Sequence, residues 1–135
     1  MVESTIRVRY SETDGMGIAY HANHLVWFEV GRSDYCRMAG VPYAEMERAG
    51  FFLVVTEVSC RYLKPAVYDQ VLIVKTRLRE INRRSVRFEY ELVAASEEEP
   101  LATGHTRHLV LNRAGRPTAL PAAWLDALKR VEPRA

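Results

Sequence analysis

The stretch Tyr10-Ser11-Glu12-Thr13-Asp14-Gly15-Met16-Gly17-Ile18-Ala19-Tyr20-His21-Ala22-Asn23-His24-Leu25-Val26-Trp27-Phe28-Glu29 passes through three kinds of local structure. Leading into it, Ile6, Val8 and Tyr10 alternate with Arg7 and Arg9, the period-two pattern of a strand with one apolar face. A loop carrying the carboxylate of Asp14 follows, and Gly15 and Gly17 permit a sharp turn there. An amphipathic helix then opens between His21 and Asn23. Asp14 stands seven residues before His21, on a glycine loop that leads to a helix N-terminus. Such a loop sets an anionic base or nucleophile beside unpaired N–H groups that can hold an oxyanion.

Working outward, the helix is expected over about Asn23 to Ala39, with Leu25, Phe28, Gly31, Tyr35, Met38 and Ala39 on one face and Glu29, Ser33 and Arg37 opposite. Val26, Trp27 and Val30 widen the apolar surface, so much of this helix should be covered. Gly40 ends it, and Tyr43 to Ala49 fits a short second helix. The period then becomes two. Val54, Thr56, Val58, Cys60 and Tyr62 alternate with Glu57, Ser59 and Arg61; Leu72, Val74, Thr76 and Leu78 with Lys75, Arg77 and Arg79; Val86, Phe88, Tyr90 and Leu92 with Arg87, Glu89 and Glu91. A further strand covers about Leu101 to Leu111, and Trp124, Leu125 and Leu128 imply a short C-terminal helix. One buried helix followed by long antiparallel strands is an α+β plan, the sheet wrapped over the helix.

Composition narrows the function classes. The 135 residues fit one domain (1–135) with one core, and 48% hydrophobic with 27% charged residues is a globular balance. A net charge of +2 gives no bulk drive toward nucleic acid. No apolar run approaches membrane-spanning length and no signal-peptide layout opens the chain, so neither membrane insertion nor export is expected. Cys36 and Cys60 form no C-x-x-C pair and read as buried free thiols of a reducing compartment, the cytoplasm. His105 and His108 lie on opposite faces of a straight strand and cannot share a metal ion.

With these residues in view, the chain resembles the hotdog-fold acyl-CoA thioesterases. The segment Tyr10 to Glu29, the strand end Tyr62-Leu63-Lys64-Pro65 and the junction Asn82-Arg83-Arg84-Ser85 are similar to the 4-hydroxybenzoyl-CoA thioesterase type, especially its relatives encoded with the bacterial Tol–Pal system. The likeness spans roughly Ser4 to Leu128, and its specific core is Tyr-x-x-Thr-Asp-x-x-Gly-x-x-Tyr-His. It implies a hotdog fold, an antiparallel sheet of about five strands around one long central helix. It further implies hydrolysis of an acyl-CoA to free acid and CoA without metal or cofactor, coenzyme A being part of the substrate.

The resemblance gives Asp14 the catalytic carboxylate and the backbone N–H of His21 the polarising role. Thioester hydrolysis needs a base or nucleophile and a stabilised oxyanion. An ionised Asp can attack the carbonyl or activate water, and both roles stay open for Asp14. Considered by itself, Thr13-Asp14-Gly15 is also good turn chemistry. His21 has two parts to offer, its amide and its ring, and the amide is preferred. Tyr10 is the candidate for a supporting hydrogen bond. His24 occupies a place where the family most often has Tyr, which bears on the acyl pocket, and Glu29 reads as structural or interfacial. The basic stretch Lys75 to Arg87 is mostly the solvated face of a hairpin. At its junction, Arg83, Arg84 and Ser85 are the expected contacts for the phosphates of CoA.

Two rivals share part of this pattern. A hotdog hydratase or dehydratase also binds acyl thioesters but sets a catalytic His ring closer in sequence to its acid. A non-catalytic acyl-CoA binding module needs no base at all. A wrapped sheet leaves an edge that must be paired or covered. In the family two hotdogs pair with the substrate channel between them, so a symmetric homo-oligomer is expected, with a dimer as the minimum and a tetramer as the fuller assembly.

Overall fold

The computed structural model describes residues 1–132. Strand β1 (Val2–Arg7) leads through a 3-10 turn (Tyr10–Glu12) and a loop into helix α1 (Asn23–Met38). Helix α2 (Tyr43–Arg48) precedes β2 (Phe52–Tyr62). Strands β3 (Val71–Ile81), β4 (Ser85–Ala94) and β5 (Pro100–Leu111) follow as a meander, and α3 (Ala122–Arg130) comes last. The five strands form one antiparallel sheet in the order β1-β3-β4-β5-β2. It wraps around α1 in the hotdog arrangement that the resemblance implies.

The core lies between α1 and the concave face of the sheet. Leu72, Val74 and Thr76 of β3 and Val86, Phe88, Tyr90 and Leu92 of β4 point inward, as their alternation requires. Phe28 stacks on Tyr90 with ring centroids 4.4 Å apart, and Tyr35 meets Phe88 edge-on at 5.4 Å. The Tyr35 hydroxyl donates to the Leu128 carbonyl at 3.0 Å, fastening α3 to the far end of α1. Two glycines set the spacing. A Cβ on Gly31 would stand 2.9 Å from Val74 Cγ1 and overlap Thr76, and one on Gly104 would overlap the Ser59 carbonyl and the Phe28 ring.

Several expectations are corrected. Tyr10 does not continue the first strand. That strand starts at Val2 and buries Val2 and Ser4, while Tyr10 turns out in the 3-10 turn at 77% exposure. The covered face of α1 is His24, Trp27, Phe28, Gly31, Tyr35 and Cys36, whereas Met38 is exposed beyond the sheet's reach. Val26 and Val30 are exposed too, leaving an apolar stripe on the far side of α1. In β2 the pairing with β5 slips between Val55 and Glu57, a bulge that inserts Thr56. The bulge reverses the parity upstream, so Val55, and not Val54, shares a side with Val58, Cys60 and Tyr62. Because β2 pairs only with β5, much of it is exposed and Cys60 is half-buried rather than buried. Both cysteines are free thiols, and among the described residues no helix is long and apolar enough to cross a membrane.

Candidate active site

The Asp14 loop is closed at its base by short pairings. Thr13 bridges Ala19, and the Asp14 N–H donates to the Ile18 carbonyl at 2.8 Å. Gly17 takes the left-handed conformation (φ 79°) that lets the chain reverse; Gly15 does not need it. Asp14 Oδ1 accepts the Met16 N–H at 2.7 Å, an Asx-turn contact, so turn chemistry does operate here. It uses only one carboxylate oxygen. Among the described residues nothing donates to Oδ2, and the side chain is exposed to approach.

Beneath this loop lies a group that the sequence pattern did not single out. Glu12 is only 5% exposed, yet ionic. Its Oε1 accepts the Arg9 N–H at 2.8 Å and its Oε2 accepts the indole N–H of Trp27 at 2.9 Å. Burial alone would raise its pKa; the hydrogen bonds from the Arg9 amide, Trp27 and the Arg9 guanidinium outweigh burial and hold it below the ordinary carboxylate value. Its carbonyl accepts the Tyr20 N–H at 2.8 Å and Asn23 Nδ2 at 2.7 Å. The one sequence signal was its place three residues after Arg9, the spacing at which a carboxylate reaches back to a free N–H as in a capping box.

At the mouth of α1, the N-cap position is Ala22, whose side chain offers no acceptor. The first-turn N–H groups are left for other partners. Asn23 and Leu25 donate to the carbonyls of Tyr20 and Ala22, but among the described residues the N–H groups of His21, Ala22 and His24 have no acceptor. The His21 carbonyl is held from two sides, by the Tyr62 hydroxyl at 2.7 Å and by His24 Nδ1 at 3.2 Å. A carbonyl only accepts, so Nδ1 of His24 carries the proton and Nε2 is a bare acceptor, buried and without a partner. Burial, against the pull of the His21 carbonyl, lowers the His24 pKa, and the partial desolvation of Tyr62, with Cys60 beside it, pushes its pKa up to about 12 although the side chain stays largely exposed. The His21 ring packs against Tyr20 at 4.4 Å, and no hydrogen bond joins it to Asp14 among the described residues. Tyr10 likewise stays outside, stacked edge-on upon Tyr68 at 5.6 Å.

A mainly apolar cavity of about 290 Å³ opens here, walled by Ile18, His21, His24, Tyr62, Leu63 and Pro65. A larger depression of about 460 Å³ on the outer sheet face holds Arg61, Lys75, Arg77, Glu89 and Glu91. It lies away from the helix mouth, and its charges include cross-strand pairs such as Arg79–Glu89 at 2.7 Å; the Asp14 side chain walls neither depression, its loop reaching the apolar cavity through Ile18. His105 faces Glu57 at 2.8 Å on that outer side, while His108 is buried on the inner one.

Arg83, Arg84 and Ser85 are not brought to this cavity within the chain. Asn82 Oδ1 accepts the N–H groups of Arg84 and Ser85 at 3.1 and 3.0 Å and turns the chain between β3 and β4. Among the described residues neither guanidinium has an ion-pair or hydrogen-bond partner. The Asp14 loop lies by the other end of the sheet, where Ile18 bridges Val67 in the connection between β2 and β3. Strand β4, from Ser85 to Ala94, separates the two ends by about 30 Å at 3.3 Å per residue.

The family model described as "Thioesterase-like superfamily" matches residues 8–128. The chain belongs to that superfamily. A curated relative in Bacillus subtilis (strain 168), "Putative acyl-CoA thioesterase YneP", is 33% identical over 121 residues, 90% of this chain and 88% of its own length. "Acyl-CoA thioesterase YbgC" of Haemophilus influenzae is 32% identical over 89 residues, 65% of each chain. The solved DHNA-CoA thioesterase from Staphylococcus aureus superposes with a TM-score of 0.90 at 33% identity, covering 96% of this chain and 89% of that one. The protein is therefore a hydrolase of the hotdog thioesterase kind. Asp14 presents an approachable carboxylate on the loop that precedes α1, and the helix mouth offers amides without acceptors beside an apolar cavity.

Proposed function

We propose that the protein hydrolyses acyl-CoA thioesters to free acid and CoA at the mouth of α1. Asp14 serves as nucleophile or general base, and the His21 N–H receives the oxyanion. The observation that carries this reading is the His21 amide without an acceptor beside the cavity that Ile18 of the Asp14 loop helps to wall. If Asp14 attacks, its oxygen bonds to the carbonyl carbon, the C–S bond breaks, CoA leaves as thiolate, and water then cleaves the mixed anhydride. If Asp14 acts as base, it takes a proton from water, the hydroxide adds to the carbon, and the departing thiolate regains that proton. Both routes pass through the same oxyanion. The names of YneP and YbgC support acyl-CoA as the substrate class. A hydratase needs the His ring working with the acid, and among the described residues no hydrogen bond joins the His21 ring to Asp14.

The working unit in this reading is a homodimer formed through β2. That strand offers eleven residues of open edge, flanked by exposed Val55, Val58, Tyr62 and Leu63. Antiparallel pairing of two β2 strands about a two-fold axis carries the Arg83–Ser85 end of one protomer toward the Asp14 end of the other, closing the 30 Å gap for the CoA phosphates. A thiol-release screen across short, long and aromatic acyl-CoAs tests the function. Free CoA appearing with at least one class is the expected result; intact thioester throughout, or water addition to an enoyl-CoA with the thioester retained, overturns it.

A further inference from the structure

Glu12 ties together pieces of chain that are remote in sequence. Its side chain bonds the Arg9 amide ahead of the loop and the Trp27 indole one turn into α1. Its carbonyl bonds the Tyr20 amide and the Asn23 side chain on the far side of the same loop. The residue after Glu12 begins the Thr13–Ala19 bridge that closes the loop carrying Asp14, and the residue after Tyr20 is His21. Both ends of the catalytic loop and the start of the helix are thus pinned to one buried residue.

We propose that Glu12 is the positioning residue of the site, its carboxylate locking the Asp14 loop onto α1 so that carboxylate and His21 amide hold a fixed separation. This rests on the thioesterase reading for its catalytic consequence, but not for its structural one. A buried carboxylate that receives two N–H donors cannot be replaced by an amide without loss. Glutamine offers one acceptor oxygen, so either the Arg9 amide or the Trp27 indole would face an NH₂ group instead. The helix itself is held by the buried Phe28, Gly31 and Tyr35 further along. Losing the tie therefore frees the loop and the first turn, and not the core.

The test uses the full-length protein and the variants Glu12→Gln, Trp27→Phe and their combination. Amide hydrogen exchange is read peptide by peptide, with turnover measured alongside. In Glu12→Gln, exchange over residues 9–27 should quicken while β3 and β4 keep wild-type protection. On a substrate that wild type hydrolyses, kcat should fall about 10- to 100-fold, the cost of a small misplacement of reacting groups, with KM little changed. Trp27→Phe removes the second donor, so the double variant should lose less kcat than the product of the single losses. Wild-type exchange across residues 9–27 in Glu12→Gln overturns the proposal whether or not any thioester is hydrolysed. Independent, multiplying losses in the double variant, or protection lost equally across the sheet, also overturn it by making Glu12 a general stability residue. An active wild type with an unaltered Glu12→Gln would sink this inference alone; a wild type inactive on every thioester would sink the thioesterase reading and leave the exchange result to decide Glu12.

Discussion

On the proposed mechanism Asp14 and His21 act through different atoms, the one through its carboxylate and the other through its backbone. Replacing His21 with Ala keeps the amide, so the variant should retain appreciable turnover; a loss of ~100-fold or more, the size of losing an oxyanion donor, would assign the role to the ring. Single buried residues also set the response to acid. His108 is fully buried, and burial, with the Arg32 charge nearby, brings its pKa down to about 4. In the unfolded chain a histidine titrates near ~6.5, so between that value and about 4 the unfolded state binds the extra proton. Stability should therefore fall as pH drops from ~6.5 to about 4, and His108→Gln should flatten that stretch of a thermal-melting series. At this scale the sequence was legible where partners are near neighbours. The seven-residue interval from Asp14 to His21 could be read directly, whereas Glu12 with Trp27 and Tyr62 with His21 are partners across 15 and 41 residues. A glutamate that will be buried looks the same in a sequence as one that will be solvated.

Among the elements, the extent of α1 and the β3–β4–β5 meander were legible because burial on one face enforces a strict period of 3.6 or 2, although the covered face of α1 takes in His24 and Trp27 and leaves Met38 out. Strand β2 was misread for a physical reason: it is an edge, and the bulge at Thr56 costs little where no further strand demands the register. The fit of helix to sheet was less legible still, since it depends on side chains left out at Gly31 and Gly104. Gly104→Ala sets two effects against each other. Alanine lowers the chain entropy of the unfolded state, worth about 0.4–1 kcal/mol. Its Cβ would also press on the Ser59 carbonyl, which is backbone and cannot rotate away, and on Phe28. Overpacking of that kind costs about 1–3 kcal/mol. The variant should be net destabilised, read as a lower urea midpoint at unchanged slope; an unchanged or raised midpoint would show that β2 and β5 yield to make room.

For the whole molecule, one chain holds the acyl end of the proposed site at one end of its sheet and the free arginines at the other. Changing Arg83 and Arg84 to Ala should raise KM for acyl-CoA far more than it lowers kcat, and the effect should shrink with salt and with a truncated thioester. Because the proposed site is shared, mixing refolded D14N and R83A/R84A subunits should produce heterodimers with one intact site, active below the KM of the arginine variant where neither parent is. No gain on mixing would place both groups on one chain or remove the arginines from the site. Assembly was the least legible level, since an edge strand says that something must cover it without saying where the cover's own arginines will fall. The central claim is thioester hydrolysis driven by Asp14, and its most direct test is thiol release from an acyl-CoA by wild type and D14N purified side by side. Asn keeps the shape and the Oδ1 turn contact but removes the charge, so turnover should fall at least ~100-fold with the fold intact by circular dichroism; near wild-type turnover in folded D14N would contradict the account.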